Sequence, residues 1–176
     1  MKVLLVAAAA IACTAGLALA ATHAAPLAAG ASAGAAVSLP RCATSGLVVW
    51  LDTAGNHAAG STYYKLDFTN LSAHRCSLFG YPGVSAVDLR HHRLGSAAAR
   101  NTHLAPHLVS VASGASASAV LQITDTGVFP RSACRQRTAA ALRVYPPNQT
   151  ASKTVPFPFP ACGHTGPVYL HVEAVA

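Results

Sequence analysis

The chain has 176 residues, of which 52% are hydrophobic and 10% are charged, and its formal net charge is +7. Alanine and an apolar N-terminus inflate the hydrophobic fraction, so it does not indicate a membrane protein. The chain contains only five acidic residues. Glycosidases need two apposed carboxylates, and we expect several of these acids to be solvated on the polar faces of strands. Within residues 41–176, the nearest approach to a G-x-S-x-G nucleophile elbow is Gly83-Val84-Ser85-Ala86-Val87, which lacks the second glycine and lies in a predicted strand. We therefore expect a protein that is not an enzyme.

Residues 1–20 have the features of a secretory signal peptide. Lys2 precedes an uncharged apolar run that closes on Ala18-Leu19-Ala20, a small-x-small cleavage pattern. The same run is long enough to act as an uncleaved anchor, and Cys13 loosely matches a lipoprotein processing site. All three alternatives place the rest of the chain outside the cytoplasm, secreted or associated with the cell envelope.

Residues 21–40 are mostly alanine and glycine, without any periodicity. This composition predicts a flexible linker. The remaining residues, 41–176, are sufficient for one domain with a single hydrophobic core. We expect no membrane span within this mature domain.

Period-two alternation of apolar and polar residues runs through residues 41–176 and predicts half-buried strands. In residues 61–70, for example, Tyr64, Leu66 and Phe68 share one face. The pattern occurs in the segments 46–52, 61–70, 84–89, 107–113, 115–124, 141–145 and 167–175. Turn-forming pairs such as Pro82-Gly83 separate these segments. Seven or eight strands at this spacing predict an all-β fold, an antiparallel immunoglobulin-like β-sandwich.

The segment FTNLSAHRCSLFGYPGV, residues 68–84, predicts how one strand ends and the next element begins. Phe68 is expected in the core, and the Asn70 side chain can hydrogen-bond its own backbone to start a turn. Pro82 lacks a backbone donor, so we expect the chain at this corner to lie at an edge or outside the sheet.

Four cysteines follow the signal peptide: Cys42, Cys76, Cys134 and Cys162. An even number in an exported chain favours two disulfides. Zinc sites need close pairs such as C-x-x-C, whereas these cysteines are separated by about 30 residues or more. Three connectivities are possible. We expect Cys42–Cys76 and Cys134–Cys162, because each pair closes one local segment, and we expect no cofactor.

Several motifs together resemble a known family. They comprise Cys42, GSTYYKLDFTN at 60–70, CSLFGYPGV at 76–84, Leu94-Gly95, Cys134, LRVYPP at 142–147 and Cys162. This pattern resembles an exported domain of unknown function that is widespread in actinobacteria. The resemblance implies an immunoglobulin-like sandwich on secreted proteins or lipoproteins. It implies no catalytic residues.

Basic residues form two clusters in the sequence. Without Lys2, 11 basic and 5 acidic residues leave a net charge of +6. Arg90, Arg93 and Arg100 lie near a histidine turn, and a second set surrounds Cys134, namely Arg131, Arg135 and Arg137. Clustered arginines suit multivalent anions. We expect Arg90, Arg93 and Arg100 to bind an anionic cell-envelope polymer.

Other roles for the basic surface are also open. The partner could instead be another envelope protein, and a basic surface could serve solubility alone. Nucleic acid is not an expected partner outside the cell, and the sequence contains no basic platform interleaved with aromatic residues.

A metal-binding protein or metal-dependent enzyme is the alternative hypothesis. It would use the turn at His91 and His92, helped by His103 and His107. The spacing of the last two suits one face of a helix, but Pro106 between them argues against a helix. Exposed loop residues are the simpler interpretation of these histidines.

Overall fold

The structure, a computed structural model, describes residues 38–176. The predicted signal peptide, the lipidation alternative at Cys13 and most of the predicted linker lie outside these residues. The described chain forms eleven strands: β1 (Leu47–Ala58), β2 (Ser61–Asn70), β3 (Cys76–Phe79), β4 (Gly83–Val87), β5 (Arg93–Leu94), β6 (Ala99–Arg100), β7 (Leu108–Val111), β8 (Ser116–Thr124), β9 (Gln136–Tyr145), β10 (Lys153–Cys162) and β11 (Leu170–Val172). The helical segments are two 3-10 turns, Thr44–Gly46 and Thr126–Val128, and the one-turn helix α1 (Arg131–Cys134).

The strands form two main sheets and a two-stranded ribbon. One sheet has the order β1-β2-β8-β11-β6, the second has the order β10-β9-β4-β5, and the ribbon pairs β3 with β7. All pairings are antiparallel except β6 with β11, which is parallel. One buried core takes side chains from both sheets and the ribbon, including Leu66, Leu142 and Leu78. The predicted all-β sandwich is therefore confirmed.

All seven segments with period-two alternation contain strands, although the last is strand only at β11. The sequence pattern did not reveal β3, β5, β6 or β10. Strands β5 and β6 have two residues each, too few for any alternation. Strand β10 contains three prolines, which are normally poor strand formers. The three prolines are nevertheless tolerated, because β10 lies at the edge of its sheet and pairs only with β9.

The turn after β2 follows the expected chemistry. The Asn70 Oδ1 atom accepts hydrogen bonds from the backbone N–H of Ser72 at 2.9 Å and from its hydroxyl at 2.6 Å. The Asn70 amide donates to the carbonyl oxygens of His74 and Val111. Phe68 is fully buried, and Pro82 lies outside any strand. A single buried amide thus connects the end of β2 to the ribbon.

Both expected disulfides are present, Cys42–Cys76 and Cys134–Cys162. The first joins the segment before β1 to the start of β3, and the second joins α1 to the end of β10. All four cysteines are buried. Two disulfides indicate an oxidising, extracytoplasmic environment. Within residues 38–176, no helix is long and apolar enough to cross a membrane.

Asp67 contradicts the expectation of solvated strand carboxylates. It belongs to the polar face of β2, but it is only 2% exposed. Its Oδ1 atom accepts a 2.6 Å hydrogen bond from the Ser118 hydroxyl, and the Lys65 ammonium lies 3.9 Å away. Trp50 is its cross-strand neighbour on β1. The indole of Trp50 donates to the Thr69 hydroxyl, which places the ring across this face of β2. The expectation is wrong here because neighbouring side chains cover the carboxylate.

Alternation along residues 167–175 predicts Tyr169 on the polar face with His171 and Glu173, but Tyr169 is fully buried. Its hydroxyl donates a 3.0 Å hydrogen bond to the Leu94 carbonyl oxygen. Gly95 provides the space, since a Cβ atom there would lie 2.8 Å from a ring carbon of Tyr169. Burial raises the pKa of Tyr169 well above its usual value of 10.0. The folded protein therefore holds the phenolic proton more tightly than the unfolded chain does.

This pKa difference predicts a loss of stability in alkaline solution. Tyr169 contributes its stabilisation fully below pH 10, and the contribution should fall as the pH rises above the unfolded-state pKa. Tyr169→Phe should cost about 1 kcal/mol at pH 7 through the lost hydrogen bond. The stability gap between wild type and Tyr169→Phe should then narrow between pH 9 and pH 11 in denaturant titrations. A gap that stays constant over that range would contradict the prediction.

Candidate functional site

The predicted anion-binding residues Arg90 and Arg93 lie at the hairpin between β4 and β5, and both are exposed. Asp88 organises this hairpin, because its Oδ1 atom accepts the backbone N–H groups of Arg90 and His92, each at 2.8 Å. The bond from His92, more than the bond from Arg90, lowers the pKa of Asp88. The hairpin therefore has an ionised carboxylate inside its own turn.

The structure adds one arginine to this hairpin that the sequence did not indicate. Arg143 on β9 donates a 2.6 Å hydrogen bond to the carbonyl oxygen of His91. His91 adopts a left-handed backbone with φ 62°, which turns that carbonyl towards β9. No signal within residues 88–93 could have identified this partner, because it is 52 residues distant in sequence.

Arg100 lies away from the hairpin. Ala98, two residues before Arg100, lies beside the start of β4, because its N–H donates to the Val84 carbonyl oxygen. The hairpin begins at the opposite end of β4, after Val87, about 10 Å along the strand. The Arg100 guanidinium instead stacks on the Tyr81 ring, 5.5 Å from its centroid. The three predicted residues thus occupy two separate places, and their binding of anions stays a prediction.

The histidines of the alternative metal hypothesis are exposed. His92 Nδ1 lies 3.3 Å from Asp88 Oδ2, while His103 and His107 lie in the loop between β6 and β7. Among residues 38–176, no group of three or more His, Cys, Asp or Glu side chains is close enough to share a metal ion.

The second set of arginines surrounds one cavity, and we call this set the arginine corner: Arg131, Arg135 and Arg137. All three side chains are exposed. The cavity has a volume of about 580 Å³, and Phe129 and the turn residues Thr126 and Gly127 complete its wall. The structure therefore brings together three cations that the sequence placed only near Cys134.

Covalent and backbone bonds fix the geometry of the arginine corner. The Cys134–Cys162 disulfide joins the two segments, and the Gly163 N–H donates to the carbonyl oxygens of Cys134 and Arg135. A Cβ atom at Gly163 would lie 2.8 Å from the Arg137 side chain. Arg137 therefore packs directly over the Gly163 backbone. Arg135 has φ 45°, in the left-handed region where glycine is normally preferred.

The positive charges of these arginines are not neutralised by neighbouring carboxylates. Each of the five carboxylates accepts a hydrogen bond elsewhere, from the backbone of Ala54, Arg90, His92 and Gly127 or from the side chains of Ser118 and Asn101. Within residues 38–176, the ion pairs are Lys65–Asp67 and His92–Asp88. No arginine in this part of the chain contacts a carboxylate.

A second cavity of about 480 Å³ lies at the same end of the sandwich, and we call it the aromatic cavity. Tyr64 and Phe159 line it together with Ile123 and Pro160. Phe157 connects the two rings, at 5.0 Å from Tyr64 and 5.5 Å from Phe159 between centroids. Phe159 is part of the core, and Phe157 packs against it. Sequence patterns gave no sign that a cavity would remain beside them.

These features define a disulfide-linked all-β sandwich with a basic cavity at one end. Residues 42–176 match the family described as Domain of unknown function (DUF4232). The chain belongs to this family, which agrees with the resemblance of its cysteine and GYPGV motifs. No curated protein and no solved structure matches the chain.

The backbone of Arg135 allows a direct test of the strain at the arginine corner. Arg135→Gly should stabilise the protein by about 0.5–1 kcal/mol, because glycine adopts the left-handed conformation at little cost. Arg137→Gly is the matched control, since it removes the same charge from an extended strand. It should instead destabilise by about 0.5–1 kcal/mol. Thermal unfolding of both variants gives the sign of each change in stability. Equal losses of stability in the two variants would refute backbone strain at Arg135.

Proposed function

We propose that the protein is an exported, noncatalytic module that binds anionic polymers of the cell envelope, and that the arginine corner is the main binding surface. The observation that carries this proposal is the gathering of three arginines around one cavity with no carboxylate partner. A guanidinium is always charged and presents donors that match phosphate and carboxylate oxygens in pairs. Three such groups in one place suit a multivalent anion.

The rigidity of the arginine corner supports binding rather than solubility as its role. Charges that only keep a protein soluble can lie anywhere on its surface. Here a disulfide and two backbone hydrogen bonds hold the segment, and Arg135 has an unfavourable backbone conformation. Strained residues persist where the surrounding structure forces them, and they concentrate at functional sites. Pre-positioned cations also lose less conformational entropy when a ligand binds.

The location of the protein limits the choice of anion. The signal-peptide pattern and the two disulfides favour an exported chain, and the motif resemblance favours an actinobacterial envelope. Nucleic acid is not an expected partner there, and we expect instead a teichoic-acid-like, phosphorylated or sulfated polymer of the envelope. The absence of a free carboxylate pair among the described residues favours binding without chemical change of the polymer.

The proposal predicts a difference between two triple variants with the same change in charge. Arg131, Arg135 and Arg137 are replaced by serine in one variant, and Arg90, Arg93 and Arg100 in the other. Retention on immobilised inorganic polyphosphate at low salt should fall about tenfold or more in the first variant and less than threefold in the second. Wild-type retention should weaken steeply as salt screens the charges.

Thermal unfolding confirms that both triple variants fold. Equal losses in the two would mean that only total charge matters and would contradict a defined site. A loss confined to the second variant would transfer binding to Arg90, Arg93 and Arg100, the residues indicated by the sequence. Retention unchanged in both would refute anion binding as the function.

A further inference from the structure

We propose that the arginine corner and the aromatic cavity form one site for a sugar phosphate, with the phosphate on the arginines and the sugar ring between the aromatic side chains. This inference rests on the proposed function and adds the chemical class of the ligand. The observation behind it is that the two cavities share a wall at Thr126, which lines both.

The shared wall is a fixed part of the fold. Thr126 is buried and begins the 3-10 turn Thr126–Val128. The Asp125 carboxylate caps this turn by accepting the Gly127 N–H at 2.9 Å. The Asp125 N–H in turn donates to the Gly60 carbonyl oxygen at 2.8 Å, which ties the turn to the β1–β2 hairpin. One ligand that crosses this turn can therefore contact both cavities without a rearrangement of the chain.

The lining of the aromatic cavity suits a ring that has both apolar faces and hydroxyl groups. Tyr64 and Phe159 provide the apolar walls. Polar residues also line it: the Thr62 hydroxyl lies 2.8 Å from His57 Nδ1, and Asp125 is a further lining residue. An acyl chain would remove water from these polar groups without offering them a hydrogen bond, at a cost in free energy. Sugar hydroxyls can pair with them. The volume of about 480 Å³ is in the usual range for small-ligand cavities.

The distribution of charge gives the ligand one orientation. Asp125 lines the aromatic cavity and its carboxylate accepts the Gly127 N–H at the shared turn, whereas the three arginines line the other cavity. A phosphate is therefore attracted to the arginine side, and hydroxyl donors favour the side of Asp125. A ligand with an anion at one end and hydroxyls at the other matches this arrangement.

The test compares two anionic polymers as ligands and uses a variant in which the aromatic cavity is filled. Ala58 is an exposed residue that lines the aromatic cavity, so Ala58→Trp should fill it without disturbing the core. Ala97→Trp is the matched control, at an exposed loop position outside the aromatic cavity and the arginine corner. Affinities of the full-length protein are measured by calorimetry for a poly(hexose 1-phosphate) and for inorganic polyphosphate with the same number of phosphates.

Ala58→Trp should weaken binding of poly(hexose 1-phosphate) about tenfold and change binding of inorganic polyphosphate less than twofold. The control should change neither. If Ala58→Trp leaves both affinities unchanged, or lowers both equally, the shared site is overturned while anion binding at the arginine corner stands. If the Arg131, Arg135 and Arg137 triple variant binds both probes like wild type, the proposed function fails and this inference fails with it.

Vesicles containing phosphatidic acid test whether the aromatic cavity binds an acyl chain instead of a sugar ring. This lipid presents a phosphate with acyl chains and no sugar ring. Binding to such vesicles that exceeds binding to poly(hexose 1-phosphate), and that Ala58→Trp abolishes, would assign the aromatic cavity to an acyl chain and overturn the proposal. Vesicle binding unaffected by Ala58→Trp, together with a loss for the sugar polymer, supports it.

Discussion

The Cys134–Cys162 disulfide is the constraint on which this end of the molecule depends. Closing a loop of 28 residues stabilises the fold by about 3.5 kcal/mol in the chain-entropy model. The bond also has a local consequence. Strand β10 has three prolines, none of which has a backbone N–H to donate. The disulfide adds a covalent link at the end of this strand.

Both cavities depend on this covalent link. Phe159 and Pro160 of β10 line the aromatic cavity, and Cys134 lines the cavity of the arginine corner. Reduction of this one bond would therefore remove a covalent restraint from residues that line both cavities. The proposed binding would then be sensitive to the redox state of the same pair of cysteines.

The scarcity of acidic residues has a second structural consequence. Asp88 and Asp125 each bond backbone N–H groups in their own turns, and Asp67 is buried against Ser118. The few carboxylates thus maintain local structure, and none neutralises an arginine. A positive field therefore persists over the described surface, and it would make association with a polyanion faster and sensitive to salt.

Much of the fold could be predicted from sequence because the signals were local. Alternation identified β2 to the residue, and an even number of cysteines, paired locally, gave the correct disulfides. The predictions from sequence were wrong or incomplete where tertiary contacts override the local pattern. Tyr169 is buried because Gly95, more than seventy residues earlier, leaves room for its ring. Strand β10 formed despite its prolines because it occupies an edge.

The candidate site was less predictable for the same reason. The sequence grouped Arg90, Arg93 and Arg100 by proximity, but a strand reversal carries Arg100 to the other end of β4. It also placed Arg131, Arg135 and Arg137 around Cys134 without indicating a shared cavity. That cavity exists because the turn at Thr126 and the start of β9 meet in space. The spacing of residues in the sequence does not predict that two such segments lie side by side.

The prolines of β10 also bear on how copies of the protein behave when crowded together. An edge strand with free N–H groups is a template for the strand of a second molecule, and this is a common start of aggregation. Pro156, Pro158 and Pro160 lack backbone donors and lie in the long edge strand of the second sheet, whose opposite edge, β5, has only two residues. In the first sheet, the register of the edge strand β1 is interrupted between Asp52 and Asn56. The sandwich therefore offers neighbouring molecules few places to extend a sheet, so crowded copies can each keep their own fold.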